Sequence, residues 1–137
     1  MKLGYVVLYV PDVAEAVAFY ESAFGLARRF VHESGDFAEM ETGATALAFA
    51  SEAIMESQGF PYRRTRPDAD PPGVEVALVT DDVDGAYARA TEAGAVPASP
   101  PVTKPWGQTV AYVRDPNGYL VEVCSPVEAP TSATPVP

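Results

Sequence analysis

Histidine and cysteine are almost missing from this chain, with one of each, His32 and Cys124, in 137 residues. A lone cysteine closes no internal disulfide, and one histidine with one cysteine makes no zinc-type spacing. The fold must therefore rest on an apolar core, which this length allows in one compact domain. Any Ser/His/Asp triad would have to use His32, which matches no paired partner and reads as a solvent-facing or supporting side chain. Walker-type and dinucleotide-type glycine motifs are also missing. Positive charge is scarce, with 9 Lys+Arg against 19 Asp+Glu and a formal charge of -10. The acidic residues are spread along the chain as a solvated surface, which disfavours nucleic acid and anionic membranes as partners. No hydrophobic run approaches membrane-spanning length. The opening "MKLGYVVLYVPD" has neither a long apolar stretch nor a small-residue cleavage site, so a cytoplasmic protein is expected.

What the chain has in excess is proline, 14 residues in all, and most of it is clustered. "PYRRTRPDADPP" (61–72) reads as a linker between two halves, "PASPPVTKP" (97–105) as a loop, and the end of the chain (127–137) as a disordered Pro-rich tail. The expected organisation is one domain over residues 1–126, with a first module at about 1–55, a linker at about 56–72 and a second module at about 73–126.

The two halves share one grammar. "GYVVLYV" is a β-rich run, and "PDVAEAVAFYESAFG" switches to helical period, with Val13, Val17, Tyr20 and Phe24 on one face. Asp12 with Glu15 forms a capping-box-like start and Gly25 a C-terminal stop. Three strand-like segments follow, "ARRFVHES", "FAEMETG" and "ATALAFAS", separated by turn residues. About seventy residues on, "GVEVALVTDDVDGAYARATEAGA" repeats strand and helix, and segments near Val96–Ala98, Gln108–Arg114 and Tyr119–Cys124 complete the pattern. Tyr5 falls opposite Glu75, Asp12 opposite Asp82 and Val13 opposite Val83. An α+β fold is expected, two βαβββ modules forming antiparallel sheets with the helices on their outer face.

Strand parity then sorts the side chains, because residues i and i+2 share a face. Val6, Leu8 and Val10 separate from Tyr5, Val7 and Tyr9. Leu47 and Phe49 separate from Ala46, Ala48 and Ala50, and Val121 and Val123 from Leu120, Glu122 and Cys124. Val74, Val76 and Leu78 separate from Glu75, Ala77 and Val79. One set is uniformly apolar, as a helix-facing layer requires. The other mixes small residues, tyrosines and carboxylates and reads as a lined cup.

The stretches "YVVLYVPDVAEAVAFYESAFGL", "GVEVALVTDDVDGAYARATEAGA" and "VAYVRDPNGYLVEV" resemble the vicinal oxygen chelate superfamily, which includes glyoxalase I, extradiol dioxygenases, fosfomycin-resistance enzymes and bleomycin-resistance proteins. The resemblance implies paired βαβββ modules curled into a cup, and dimers in which modules pair within or between chains. It implies metal positions on the first, fourth, fifth and eighth strands, which fall here at Tyr5, Ala48, Glu75 and Glu122. Ala48 offers no donor atom and Tyr5 only a phenol, a poor ligand for most divalent ions unless deprotonated.

Two readings stay open. In one, the cup binds a small aromatic or cationic molecule without a tightly held metal and no cofactor is needed; Tyr5, Val7, Tyr9, Ala48, Trp106 and Tyr112 line it, and Glu75 and Glu122 hold the charge. Two facing carboxylates without a cation should keep a proton on one of them. In the other, Glu75 and Glu122 ligate Mg, Mn, Ni or Zn, Glu122 is catalytic, and the protein is a lyase or transferase of the glyoxalase or fosfomycin-resistance type. Both glutamates facing solvent at an open mouth is the bland alternative. Arg63, Arg64 and Arg66 form either a lid for an anionic group or a solvated linker. A homodimer is expected under both readings.

Overall fold

The computed structural model describes residues 1–127. Eight strands and three helices follow in the order β1 (Tyr5–Val10), α1 (Val13–Phe24), β2 (Ala27–Val31), β3 (Phe37–Glu41), β4 (Ala46–Ser51), α2 (Glu52–Glu56), β5 (Glu75–Val79), α3 (Val83–Glu92), β6 (Val96–Thr103), β7 (Thr109–Arg114) and β8 (Leu120–Cys124). The Pro-rich tail beyond Val127 lies outside the described residues.

The helices start and stop where the sequence says they should. Asp12 accepts the N–H of Glu15 at 3.0 Å, Asp82 that of Gly85 at 3.0 Å. Gly25 ends α1 at φ 68°, in the left-handed region that a side chain would strain. The short α2 was not expected from the sequence; Ser51 caps it by accepting the N–H of Ile54 at 3.1 Å.

Each module forms one four-stranded sheet, in the orders β1-β4-β3-β2 and β5-β8-β7-β6. These sheets are mixed, where antiparallel ones were expected. β1 runs parallel to β4, and β5 to β8. The reason is the number of reversals: the helix returns the chain, and the two hairpins of the following meander bring the fourth strand back beside the first in the same direction. Module 2 also differs in that β6 runs on to Thr103 through Pro97, Pro100 and Pro101. It is an edge strand with two register shifts, where missing N–H groups are tolerated.

Most of the helix-facing set is buried, with Leu8, Val10, Leu47, Phe49, Val121 and Val123 in the core, while Val6, Val76 and Leu78 are half-buried and Val74, just before β5, is exposed. One cluster joins these strands to Val13, Val17 and Tyr20 of α1 and Ala90 of α3, so both modules share a core. α3 also touches α1 directly, through Arg89 Nε donating to the Ser22 carbonyl at 2.9 Å. The modules therefore meet through their helices. No strand of one sheet hydrogen-bonds to a strand of the other.

The segment between α2 and β5 is tied down along its length. Arg66 grips the buried Glu52 with two bonds, 2.7 and 2.9 Å. Arg114 donates to the carbonyls of Arg66, Pro67 and Ala69 at 3.2, 3.3 and 2.7 Å. Tyr62 sets its ring edge-on to Tyr9, centroids 5.1 Å apart. Arg64 pairs with Glu56. Of the three arginines, Arg63 alone has no ion pair among the described residues.

Candidate functional site

On the face of the second sheet away from α3, register places Glu122 of β8 between Tyr112 of β7 and Ala77 of β5. Tyr112 donates its hydroxyl to Glu122 Oε1 at 2.9 Å. Glu75, diagonal to it on β5, and the Cys124 thiol lie close enough to Glu122 to act on its proton affinity. One carboxylate thus gathers a phenol, a thiol and a second carboxyl group.

The charge states follow from these contacts. Burial and the hydrogen bond to Glu122 raise the Glu75 pKa above the ordinary glutamate value. Burial pushes Glu122 the same way, but the donors Cys124, Tyr112 and Glu75, together with the Lys104 charge, outweigh it and hold Glu122 lower. Of the two carboxyl groups, Glu75 keeps its proton to the higher pH. The hydrogen bond to Glu122, with burial, pushes Tyr112 to about 12. Burial, with the bond to Glu122, pushes Cys124 to about 11. Both stay protonated donors at neutral pH, and the buried thiol is a poor nucleophile.

Trp106 stands at the rim, 65% exposed, its indole N–H donating to Gln108 Oε1 at 2.9 Å. Gln108 in turn donates to the Ser125 carbonyl at 3.0 Å. These contacts hold Trp106 beside the end of β8.

The remaining predicted residues lie on the other sheet. Tyr5 is 59% and Val7 38% exposed, Tyr9 is half-buried and Ala48 is fully buried. None of them hydrogen-bonds to the Glu75–Glu122 group. Within one chain the structure brings together Glu75, Tyr112 and Glu122, and leaves Tyr5, Val7, Tyr9 and Ala48 on a separate face. His32 is at the surface of the turn after β2, its Nδ1 within 2.8 Å of Ser34 Oγ.

One residue escaped the sequence reading. Glu39 of β3 sits beside Ala48 in the register that Tyr112 holds beside Glu122. It is only 8% exposed and is met by Arg29 Nη1 at 3.2 Å. Arg29 reaches it because a register shift between Arg28 and Phe30 re-aims the side chain. The alternation in "FAEMETG", acidic at Glu39 and Glu41 with Ala38 and Met40 between, carried the signal.

Of the four positions that the resemblance assigns to a metal, one chain brings together Glu75 and Glu122; Ala48 has no donor, and Tyr5 is on the other sheet. No group of three or more His, Cys, Asp or Glu side chains is placed to hold a metal among the described residues.

Known proteins of similar sequence and shape fit this geometry. YraH, an uncharacterised protein of Bacillus subtilis (strain 168), is 28% identical over 125 residues, spanning 90% of this chain and 97% of its own. A glyoxalase-related enzyme from Fulvimarina pelagi superposes with a TM-score of 0.78 at 22% identity, covering 92% of this chain and 88% of its own. A glyoxalase/bleomycin resistance protein/dioxygenase from Nocardioides gives 0.70 at 25% identity, over 99% and 90%. The profile of the Glyoxalase/Bleomycin resistance protein/Dioxygenase superfamily matches residues 2–123. With its two βαβββ modules and an eighth-strand glutamate on the open face, the chain belongs to that superfamily.

Proposed function

We propose that this protein binds a small aromatic cation over β5, β7 and β8, without a tightly held metal, and works as a cytoplasmic homodimer. The observation that carries this reading is the group at Glu122: a carboxylate that accepts the Tyr112 hydroxyl at 2.9 Å, with the Glu75 carboxyl group on the same face beside it. Tyr112 supplies a flat surface next to that charge and Trp106 another near the end of β8, which favours a ring with delocalised positive charge over a compact inorganic ion. The unpaired Cys124 is compatible with a reducing compartment.

The divalent-metal lyase or transferase reading has one feature in its favour, the carboxylate at the eighth-strand position. No group of three or more His, Cys, Asp or Glu side chains stands around it among the described residues, which favours ligand binding.

The test uses Trp106, the one tryptophan of the chain, as reporter. N-methylquinolinium and its uncharged isostere 1-methylnaphthalene are titrated against wild type and Glu122→Gln. Saturable quenching by the cation, at least tenfold weaker for the isostere and for the variant, is expected. Equal affinity for both compounds, or stoichiometric metal in protein purified without chelator that is lost on Glu75→Gln/Glu122→Gln substitution, sinks the proposal.

A further inference from the structure

The strap that follows α2 is held in two different ways along its length. From Thr65 onward it is fastened by charged groups. Arg66 grips the buried Glu52 and donates through Nη1 to the Thr65 carbonyl at 3.0 Å, while Arg114 holds the carbonyls of Arg66, Pro67 and Ala69. At its start, Gln58 and Gly59 donate their N–H groups back to the carbonyls of Met55 and Glu56, both at 3.1 Å. Between these anchors, no backbone N–H or carbonyl of residues 60–64 forms a hydrogen bond among the described residues.

Two side-chain contacts hold that middle stretch. Tyr62 sets its ring edge-on to Tyr9, and Arg64 pairs with Glu56 at the exposed surface. Contacts of either kind are individually weak. Phe60 is 49% exposed, and the strap stands off α2 by a space of about 380 Å³ lined by Glu56, Phe60, Pro61, Tyr62 and Arg64. Gly59 turns the chain at φ 84°, where a Cβ would meet nothing within 4 Å. Residues 60–64 thus run from a left-handed glycine to a clamped arginine with little packing between, the features of a segment that opens locally.

The Tyr62 contact also carries a cost. Tyr62 is half-buried, but its hydroxyl oxygen is shut off from solvent and has no hydrogen-bond partner. Burial, with the nearby charge of Glu52, raises its pKa, so the group stays a protonated donor with nothing to donate to. Both oxygens of Glu52 are already taken by Arg66. A stranded hydroxyl costs about as much as an edge-on aromatic contact supplies. Seating the ring on Tyr9 strands the hydroxyl, and releasing the ring returns it to water.

We propose that residues 60–64 are a flap, hinged at Gly59 and Thr65, that opens and closes on the free face of the first sheet, with the Tyr62 hydroxyl keeping the two states close in free energy. The structure holds the flap closed on Tyr9, which stands beside Ala50 in the register of β1 and β4. Opening breaks the Tyr62–Tyr9 contact and the Arg64–Glu56 pair and leaves the anchors at Arg66 and Arg114 in place. The flap thereby governs access to the Tyr9 end of that face. It acts on the first sheet and is independent of the ligand reading above, whose charged residues lie on the second.

Limited proteolysis of the full-length protein reads the open state. Trypsin needs several residues of extended chain, so cleavage after Arg63 and Arg64 follows the open fraction. Each rate is divided by that of a free peptide of residues 56–70 carrying the same substitution, which removes trypsin's own preference for the residue before Arg63. Tyr62→Phe keeps the ring and removes the stranded hydroxyl, so cleavage should slow about fivefold or more against wild type. Tyr62→Ala removes the ring as well, and should be cut about threefold or more faster than Tyr62→Phe. Cleavage after Arg29, inside β2, is the internal reference and should not change. Tyr62→Phe cut as fast as wild type overturns the role of the hydroxyl, and Tyr62→Ala cut as slowly as Tyr62→Phe overturns the ring as the latch. Rates at Arg29 that move in step with those at Arg63 and Arg64 would mean that the whole domain loosens, and overturn the flap.

Discussion

Tyr20 and Asp115 lie 95 residues apart and meet in the core, the phenol donating to Asp115 Oδ2 at 2.7 Å with both side chains almost fully buried. The other oxygen, Oδ1, accepts the N–H groups of Asn117 and Tyr119, both at 2.9 Å. A single carboxylate thus shapes the turn between β7 and β8 and ties it to α1 of the other module. Burial still raises its pKa against those bonds.

Removing either partner should weaken the whole domain. Tyr20→Phe leaves a 1%-exposed carboxylate short of a donor, and a loss of about 1–3 kcal/mol is expected in urea unfolding. Asp115→Ala should cost more, because two turn N–H groups lose their acceptor as well. Asp115→Asn keeps an oxygen for those N–H groups and should lie closest to wild type. An alanine variant as stable as the asparagine variant would falsify this account of the turn.

A few residues on, Gly118 passes against the strap. A Cβ built there meets the Arg66 carbonyl oxygen at 2.5 Å, at φ +101°. Gly43 has a similar φ of +93° with nothing within 4 Å. Gly43→Ala should therefore show the backbone strain alone, about 1–3 kcal/mol. Gly118→Ala should exceed it, since a fixed carbonyl must also move. Equal melting temperatures for the two variants would mean that the strap yields freely.

Arg66 fastens the same strap from the other side. Its two bonds to Glu52 leave a buried carboxylate behind if the arginine is removed. Arg66→Ala should cost about 1.5–3 kcal/mol, the range for hydrogen bonds to charged groups. Trypsin should also cut faster after Arg63 and Arg64, whose segment loses its anchor. Unchanged cleavage would show that Arg114, holding the carbonyls of Arg66, Pro67 and Ala69, is sufficient alone.

Alternation along β5 and β8 placed Glu75 and Glu122 on one face because that relation is local, but it also joined Tyr5, Val7, Tyr9 and Ala48 to the same cup, which one chain keeps on its other sheet. Strand direction is not local, and the parallel pairing of β1 with β4 follows only from counting reversals through the helix and hairpins. The strap from 57 to 74 looked like a linker because its composition is proline and charge. What anchors it is Arg114, about forty-five residues away, and no windowed pattern reports such a contact. Glu39 was legible in the alternation of β3, but the bulge that turns Arg29 toward it was not.

The raised Glu75 pKa gives the site a pH dependence whose sign can be worked out. Burial and the bond to Glu122 raise Glu75 in the folded chain, so the folded state holds its proton to higher pH than the unfolded chain does. This contribution to stability is complete below the ordinary glutamate pKa and is lost as pH rises through the raised value. Glu75→Gln removes it, and the difference in melting temperature between variant and wild type should change across that window and nowhere above it. The same proton should answer to ligand. A bound organic cation stabilises Glu75 as a carboxylate and expels the proton, so affinity for N-methylquinolinium should rise with pH until Glu75 is ionised unaided. Tyr112 at about 12 and Cys124 at about 11 titrate too high to contribute at neutral pH. Calorimetry in acetate and in MES, which buffer in the acid range and differ in protonation enthalpy, counts the proton directly. Near the raised pKa the binding enthalpy should differ between the buffers in wild type and agree in Glu75→Gln. Identical enthalpies in wild type would mean that the two carboxyl groups do not share a proton.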